Sequence, residues 1–191
     1  MKKIIFLSLL LSMSTIHSQD LNIVTGTNFT TYDYTNSSGE ENPNLNGSSG
    51  SFFEVSYSVP FNSRSSFKYL LGLTLNQFNA TGGDFINNYS WKTNYLGVMS
   101  GAKYALTKPR NSVQVDLKAG FNFNKIINGQ QKINGQTYDL TQQKEFSAVG
   151  LQPFIGFEVA VFISNYVGIT AGYSVSKNLT VSNGSPESLN F

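Results

Sequence analysis

The chain of 191 residues contains no cysteine and a single histidine, His17. Without cysteine it can form no disulfide, thiolate metal site, iron–sulfur cluster, cysteine nucleophile or cysteine-linked lipid anchor. Charged residues make up 13% of the chain, about half of the roughly 25% that is usual in soluble domains. Low charge is typical of chains that contact lipid, yet no apolar run approaches the ~18 residues of a membrane helix. The sequence therefore excludes helical membrane spans, and its length predicts one domain.

Residues 1–18 have the composition of a secretory signal peptide. Lys2 and Lys3 precede an apolar core over residues 4–11, and a polar tail follows. This core is too short to cross a bilayer. We expect cleavage after Ser18, which leaves residues 19–191 as the mature domain. Both lysines and His17 leave with the peptide, so 11 basic residues face 11 acidic ones. A neutral chain without a basic run predicts no nucleic-acid partner.

Apolar and polar residues alternate along most of the mature chain. In residues 113–123 the odd positions carry Val, Leu, Ala and Phe, whereas the even positions carry Gln, Asp, Lys, Gly and Asn. This period of two predicts strands with unlike faces. The pattern returns in residues 53–61, 67–76, 149–161 and 167–175, and less cleanly in residues 21–34 and 91–106.

The length and faces of these segments indicate a membrane barrel. They run for ~10–16 residues, whereas soluble strands average ~5–6 and a membrane-crossing strand needs ~9–11. The less bulky face mixes Gly, Ser, Thr, Asn and single charges, which is typical of a narrow barrel interior. We therefore predict an all-β, eight-stranded, antiparallel up-and-down transmembrane β-barrel in the cell outer membrane, with its bulky face in contact with outer-membrane lipid.

The connections and aromatic residues support the same interpretation. Long connections are predicted at residues 36–50, 79–90 and 124–145, and short ones at 62–65, 107–110 and 164–165. Outer-membrane barrels alternate short periplasmic turns with long external loops. Aromatic residues lie near both strand ends, such as Tyr104 beside a short turn and Trp91 beside a long loop, which predicts two interfacial girdles.

Three segments carry a family resemblance: residues 93–106, 115–120 and 169–179, the last reading Ile-Thr-Ala-Gly-Tyr-Ser-Val-Ser-Lys-Asn-Leu. They resemble the PorT-like small outer-membrane β-barrels, which are related in architecture to the OmpA and OmpX barrels. The resemblance implies an eight-stranded barrel whose C-terminal aromatic, here Phe191, is read by the barrel assembly machinery. It also implies a role in protein secretion across the outer membrane. Only twelve residues follow Leu179, so we expect the last strand to be short or truncated.

Several ionisable side chains are predicted to face the barrel interior. Buried charges need partners, so we expect a structural charge network with no catalytic, cofactor or metal-binding role. When the two strands that flank the turn at residues 108–109 are folded against each other, Lys103 is placed diagonal to Asp116, within reach for a cross-strand pair. Lys118 is expected near Glu158. The predicted network comprises Glu54, Lys103, Asp116, Lys118 and Glu158, with Lys68 as a further inward candidate.

Three functions remain open. The first is a non-enzymatic outer-membrane barrel that is structural, binds a partner through its long extracellular loops, or docks to an envelope or secretion complex. The alternative is a small channel, and the third is a barrel enzyme that acts on lipids or peptides. Near neutral pH the base that activates Ser or Thr is most often His. The mature chain lacks His, which favours the non-enzymatic functions.

Overall fold

The alternating sequence forms strands along almost the whole part of the chain that the structure describes. This computed structural model describes residues 20–31, 33–35, 45–62, 65–83, 88–107, 112–165, 167–179 and 188–190. The predicted signal peptide, its cleavage site and the predicted C-terminal signal Phe191 lie outside these residues.

Ten strands and one short helix are present in the described residues. The helix, α1, has four residues, and no described helix is long and apolar enough to cross a bilayer. The elements are β1 (Asp20–Thr30), β2 (Asp33–Thr35), β3 (Leu45–Pro60), β4 (Phe67–Gly83), β5 (Asn88–Ala105), β6 (Val113–Ile133), β7 (Gln136–Asp139), α1 (Lys144–Ser147), β8 (Gly150–Phe162), β9 (Gly168–Ser176) and β10 (Ser188–Asn190).

The strands form an eight-stranded, antiparallel, up-and-down sheet that curves into a nearly closed barrel. Seven strands follow one another in the order β1-β3-β4-β5-β6-β8-β9, and β7 pairs with one end of β6. The predicted all-β, eight-stranded class is confirmed. The last strand, β10, has three residues and pairs with β2 in a separate two-stranded sheet.

The strands are connected at two ends of the barrel. We call the end where β3 joins β4, β5 joins β6 and β8 joins β9 the lower end, and the opposite end the upper end.

The predicted connection boundaries are wrong at two places, both at the upper end. At the upper end, β4 runs to Gly83 and β5 begins at Asn88, so the predicted long loop over residues 79–90 is mostly a paired hairpin. Likewise, the predicted loop over residues 124–145 begins too early, because β6 continues to Ile133 and a tight turn joins it to β7. Asn134 and Gly135 form that turn with φ of 48° and 86°, values that a type I′ hairpin requires.

In the lower part of the barrel, the bulky apolar side chains point outward. On β4, Leu71 and Leu73 are more than half exposed, whereas Leu70 and Thr74 on the other face are buried. We call the outward side chains of residues 67–75, 96–106 and 113–123 the apolar band. Each of these segments is nine to eleven residues long, and on all three neighbouring strands its outward side chains are exposed or partly exposed while most of the inward ones are buried.

Above the band, the two faces exchange character. The outward positions become polar, for example Gln77 on β4, Lys92 on β5 and Lys125 on β6, although Ile127 is exposed. The inward positions become apolar, with Phe78 and Ala80 on β4, Tyr95 on β5 and Ile126 on β6 all buried. The lower barrel is therefore polar inside and apolar outside. The upper barrel has the reverse arrangement, apolar inside and polar outside, which is usual in β proteins surrounded by water.

Candidate functional site

Four charged side chains from four strands meet inside the lower barrel. Lys118 Nζ lies 2.8 Å from Glu158 Oε1 and 3.5 Å from Glu54 Oε2. Lys103 Nζ pairs with the other oxygen of Glu158, and Ser56 Oγ donates to Glu54 Oε1 at 2.8 Å. All four charged residues are buried. We call Glu54, Lys103, Lys118 and Glu158 the charge cluster; its two positive and two negative charges cancel, which buried charges require.

Cross-strand register explains why this cluster needs its carboxylates. Lys103 on β5 lies directly opposite Lys118 on β6, and like charges in opposite positions repel each other. Glu158 reaches both lysines from β8 and holds them together.

The predicted diagonal placement of Lys103 and Asp116 is confirmed, because the register sets Lys103 opposite Lys118 and Asp116 opposite Ala105. The predicted pairing is wrong, since Lys103 pairs with Glu158 instead. On β8, Asp116 lies opposite Glu158. The two oxygens of Asp116 instead accept hydrogen bonds from Gln114 Nε2 at 2.8 and 2.9 Å. Asp116 is buried, but within the described residues it lies outside the charge cluster.

The sixth inward candidate, Lys68, lies apart from the cluster. Its Nζ pairs with Asp20 Oδ2 at 2.5 Å, and the Asp20 side chain is 42% exposed. This pair is at the lower edge of the barrel, where water weakens an ion pair.

A layer of uncharged polar side chains lies above the charge cluster. Asn122 Nδ2 donates to Thr74 Oγ1 at 2.9 Å, and Asn124 Nδ2 donates to Gln152 Oε1 at 2.6 Å. Gly97 leaves room for this layer: a Cβ there would lie within 2.4 Å of oxygens of Thr74, Asn122 and Asn124. These hydrogen bonds link polar side chains of the interior in pairs, and a cavity of about 560 Å³ lies beside them, lined among others by Thr74, Asn122 and Gln152.

The upper end of this wall is closed by an apolar cluster. We call Phe78, Ala80, Tyr95, Ile126, Leu140 and Phe146 the cap; Trp91 and Leu45 pack against it. The segment after β7 supplies two members, since Leu140 is fully buried and its N–H donates to Gly129 O at 3.0 Å. The segment after β6 is thus not a solvated loop throughout, but folds inward over the barrel wall.

Exposed aromatic rings lie at both ends of the band. At the lower end Phe61 stacks on Tyr69 with ring centroids 3.8 Å apart, and Phe67 lies 4.7 Å from Tyr104. At the upper end of the band Phe121 and Phe123 are each 50% exposed. Tyr89 and Trp91, whose ring centroids are 6.0 Å apart, lie above the band and are partly buried, so Trp91 packs against the cap instead of joining an exposed row.

The described interior offers no grouping of three or more His, Asp or Glu that could hold a metal ion. Its lysines are engaged with carboxylates, and hydroxyl groups such as those of Thr74 and Ser56 bond to Asn122 and Glu54. Such an arrangement stabilises the barrel wall. The chain matches no protein-family model and no curated protein.

The cap was not predicted from the sequence, although the sequence of β4 carries a signal for it. Within β4 the apolar positions change from odd numbers, ending at Leu75, to even numbers, beginning at Phe78. A change of phase inside a continuous strand indicates that the apolar side chains have moved to the opposite face of the sheet. The dipeptide Asn134-Gly135 is likewise a strong hairpin signal.

Proposed function

We propose that this protein is a non-enzymatic outer-membrane β-barrel that is held in lipid by its apolar band and presents its capped upper end outside the cell. The observation that carries the proposal is the exchange of faces between the band and the upper barrel. A water-soluble barrel has no reason to expose Leu71, Leu73 and Val98 while it buries four charges.

The dimensions of the band support this location. Its nine to eleven residues per strand equal the ~9–11 residues that a tilted strand needs to cross the hydrocarbon core. Above it the outward face carries Lys92, Lys125 and Lys132, all exposed, as expected where a strand leaves lipid for water. Residues 1–18, with the composition of a signal peptide, supply the route to the envelope.

The contents of the barrel favour a structural or partner-binding role over conduction or catalysis. Along the axis an ion would meet the charge cluster, the amide layer and the cap in turn. The predicted mature chain lacks histidine and cysteine, the most common activating base and the most nucleophilic side chain. The resemblance to PorT-like barrels adds the proposal that the protein docks to a secretion or envelope complex, after insertion by the barrel assembly machinery.

Single-cysteine labelling tests the location, because the chain contains no cysteine of its own. We expect a water-soluble, membrane-impermeant maleimide to label Thr81→Cys at the upper end in intact cells. It should label Ser112→Cys at the lower end only after the outer membrane is permeabilised. Leu73→Cys in the band should react only after denaturation, since lipid excludes the reagent.

Leu73, Thr81 and Ser112 are all exposed on the surface of the isolated chain. Each position therefore serves as a control for the other two. Labelling of Leu73→Cys at the rate of Thr81→Cys would contradict the membrane location. Recovery of the protein as a soluble periplasmic monomer would contradict it as well.

A further inference from the structure

Three exposed lysines lie on the outward face of the barrel at and above the upper edge of the apolar band. Lys92 is on β5, whereas Lys125 and Lys132 are on β6, the strand that pairs with it. We call these three residues the lysine patch. The outward positions between them carry amide side chains, among them Asn94 and Gln130. The patch therefore combines positive charges with neutral hydrogen-bonding groups on one piece of barrel wall.

The register sets the three lysines at three different heights. Lys125 lies opposite Leu96, the uppermost residue of the band on β5. Lys92 is four residues above Leu96 on the same strand, which is about 13 Å along the strand at roughly 3.3 Å per residue. Lys132 lies one diagonal step above Lys92, because Lys92 pairs with Gln130. The patch thus extends upward from the edge of the band.

This range of heights matches the polar layer of a bilayer leaflet. A bilayer of ~40–45 Å has a hydrocarbon core of ~30 Å, which leaves about 5–8 Å of headgroups on each side. Ile127 is the highest exposed apolar side chain of β6, so the polar layer begins at its level. Lys92 then lies within the layer, Lys125 just below it and Lys132 above it. Lysine stems are long and flexible, so all three ammonium groups reach the layer along the wall.

Among the described residues, the lysine patch has no carboxylate paired with it. None of its lysines takes part in the ion pairs of the described chain. Residues 76–83, 88–95 and 124–133, which form the upper parts of β4, β5 and β6, contain no Asp or Glu. The described carboxylate nearest in register is that of Asp139 on β7, and its Oδ1 accepts the Thr141 N–H at 2.8 Å. The described wall is therefore positively charged at this place.

Phosphate is the anion that this surface fits. An ammonium group offers three donors, and lysine binds phosphate as a point charge on a flexible stem. Asn94, Asn128 and Gln130 lie between the lysines on the same face, and their amides suit the hydroxyl and ester groups around a headgroup phosphate. Basic clusters beside the hydrocarbon region of a membrane bind phosphorylated lipid headgroups.

We propose that the lysine patch binds the phosphate group of an outer-leaflet lipid headgroup. Lys92 contacts the phosphate at its own height, Lys125 reaches it from the hydrocarbon side, and Lys132 reaches it from the water side. The neighbouring amides bond to the rest of the headgroup. This inference rests on the proposed membrane location, because a bilayer holds lipid phosphates at the upper edge of the band. It adds the class of lipid and the residues that select it.

Lipid A with both of its phosphates is the probe, added to the full chain in detergent while native mass spectrometry counts the bound lipid. We expect the triple variant Lys92→Gln/Lys125→Gln/Lys132→Gln to weaken binding by about tenfold, because several exposed charge contacts of modest strength are lost together. Replacement of the same three lysines by Arg should preserve binding, since the charge is kept.

The matched control is Lys177→Gln. Lys177 is exposed as well, but it follows β9, which is separated from β6 by β8. The affinity for lipid A should therefore stay unchanged in this variant.

The position of the bound phosphate is read from its phosphorus NMR signal. A spin label on Asn94→Cys, between the lysines, should broaden the signal of bound lipid A. A spin label on Ser112→Cys at the lower end should leave the signal sharp, because it lies at the opposite side of the band.

The inference is overturned if the unmodified protein does not bind lipid A, or binds its dephosphorylated form equally well. Equal losses from Lys177→Gln and the triple variant would also overturn it. Displacement of lipid A by an equal concentration of inorganic phosphate would do so too, because the patch would then select a free anion. Failure of the membrane location is read separately, from the labelling of Leu73→Cys, which lies away from the patch.

Discussion

Lys118 is the residue on which the charge cluster depends, because it bridges Glu54 and Glu158. Removal of one partner from a buried ion pair leaves an uncompensated charge and destabilises by about 3–5 kcal/mol. We therefore expect Lys118→Met to lower the free energy of unfolding in detergent by about 3 kcal/mol. The double variant Lys118→Met/Glu54→Gln should recover most of this loss, since the remaining Lys103 and Glu158 balance. Urea titration in detergent measures both.

The matched control for this prediction is Lys68→Met at the barrel edge. Its partner Asp20 is 42% exposed, so the loss should stay below about 1 kcal/mol. Equal losses from Lys68→Met and Lys118→Met would show that water reaches the cluster.

At the scale of residues, the sequence identified which charges face inward and one of their pairs. The expected proximity of Lys118 and Glu158 is confirmed by their contact at 2.8 Å, and β6 and β8 are neighbouring strands. The partner of Lys103 was not predicted. Folding the chain back about one turn locates neighbours along a single hairpin, and it cannot show that Glu158, two strands away, also reaches Lys103, because the stagger of the strands is a property of the closed sheet.

Asp139 controls the turn that leads from β7 toward α1. The Thr141 backbone N–H donates to its Oδ1 at 2.8 Å, and this bond, with one from the Thr141 side chain, holds the pKa of the carboxyl below its usual value of 3.8. Because the pKa is lower in the folded state, the ionised carboxylate stabilises the turn at pH values above the pKa of the unfolded chain. This stabilisation is lost as the pH falls through the folded pKa. We expect the Thr141 amide NMR signal to titrate with a midpoint below 3.8.

In Asp139→Asn this titration should disappear, since the amide oxygen bonds without ionising. A midpoint at or above the usual value in the unmodified protein would show that the hydrogen bond does not form in solution.

Leu140 anchors the segment between β7 and α1 to the barrel. It is fully buried in the cap, and truncation of a buried Leu costs about 2–5 kcal/mol. We expect Leu140→Ala to release this segment locally, so that proteolysis there becomes faster while the barrel stays folded in detergent. Trp91, the single tryptophan of the chain, packs against the cap, and its fluorescence should shift to the red.

Tyr138→Ala provides the comparison, because that side chain is 43% exposed and outside the cap. An unchanged Trp91 spectrum in Leu140→Ala would mean that Leu140 does not hold the segment in place.

At the scale of elements, strand identity was readable from the sequence, whereas strand length was not. Residues 79–90 read as a loop because their outward positions, such as Asn79 and Thr81, are polar. In the structure residues 79–83 and 88–90 stay paired, because the inward positions next to them and among them carry Phe78, Ala80 and, across the hairpin, Trp91. A prediction that uses only one face of a strand ends the strand where the residues on that face become polar.

At the scale of the whole molecule, the side chains that line the lumen predict that the barrel does not conduct ions. The described interior holds a cavity of about 560 Å³ beside the charge cluster and the amide layer, but the charges of the cluster are paired with one another and the cap packs against the barrel wall above them. We expect no stepwise current when the purified protein is added to a planar bilayer. Leu140→Ala should remain silent as well, because the two lower layers persist. Regular current steps from the unmodified protein would favour the alternative of a small channel.

In the proposed membrane location, the exchange of faces between Leu75 and Phe78 would also set the depth of the barrel in the bilayer. A shift outward would expose leucines to water, and a shift inward would draw Gln77 and Lys125 into hydrocarbon, so displacement in either direction is opposed. The strands continue through this level. In a membrane of unmatched thickness the surrounding lipid would therefore have to stretch or compress, and the capped end would keep a constant height above the surface.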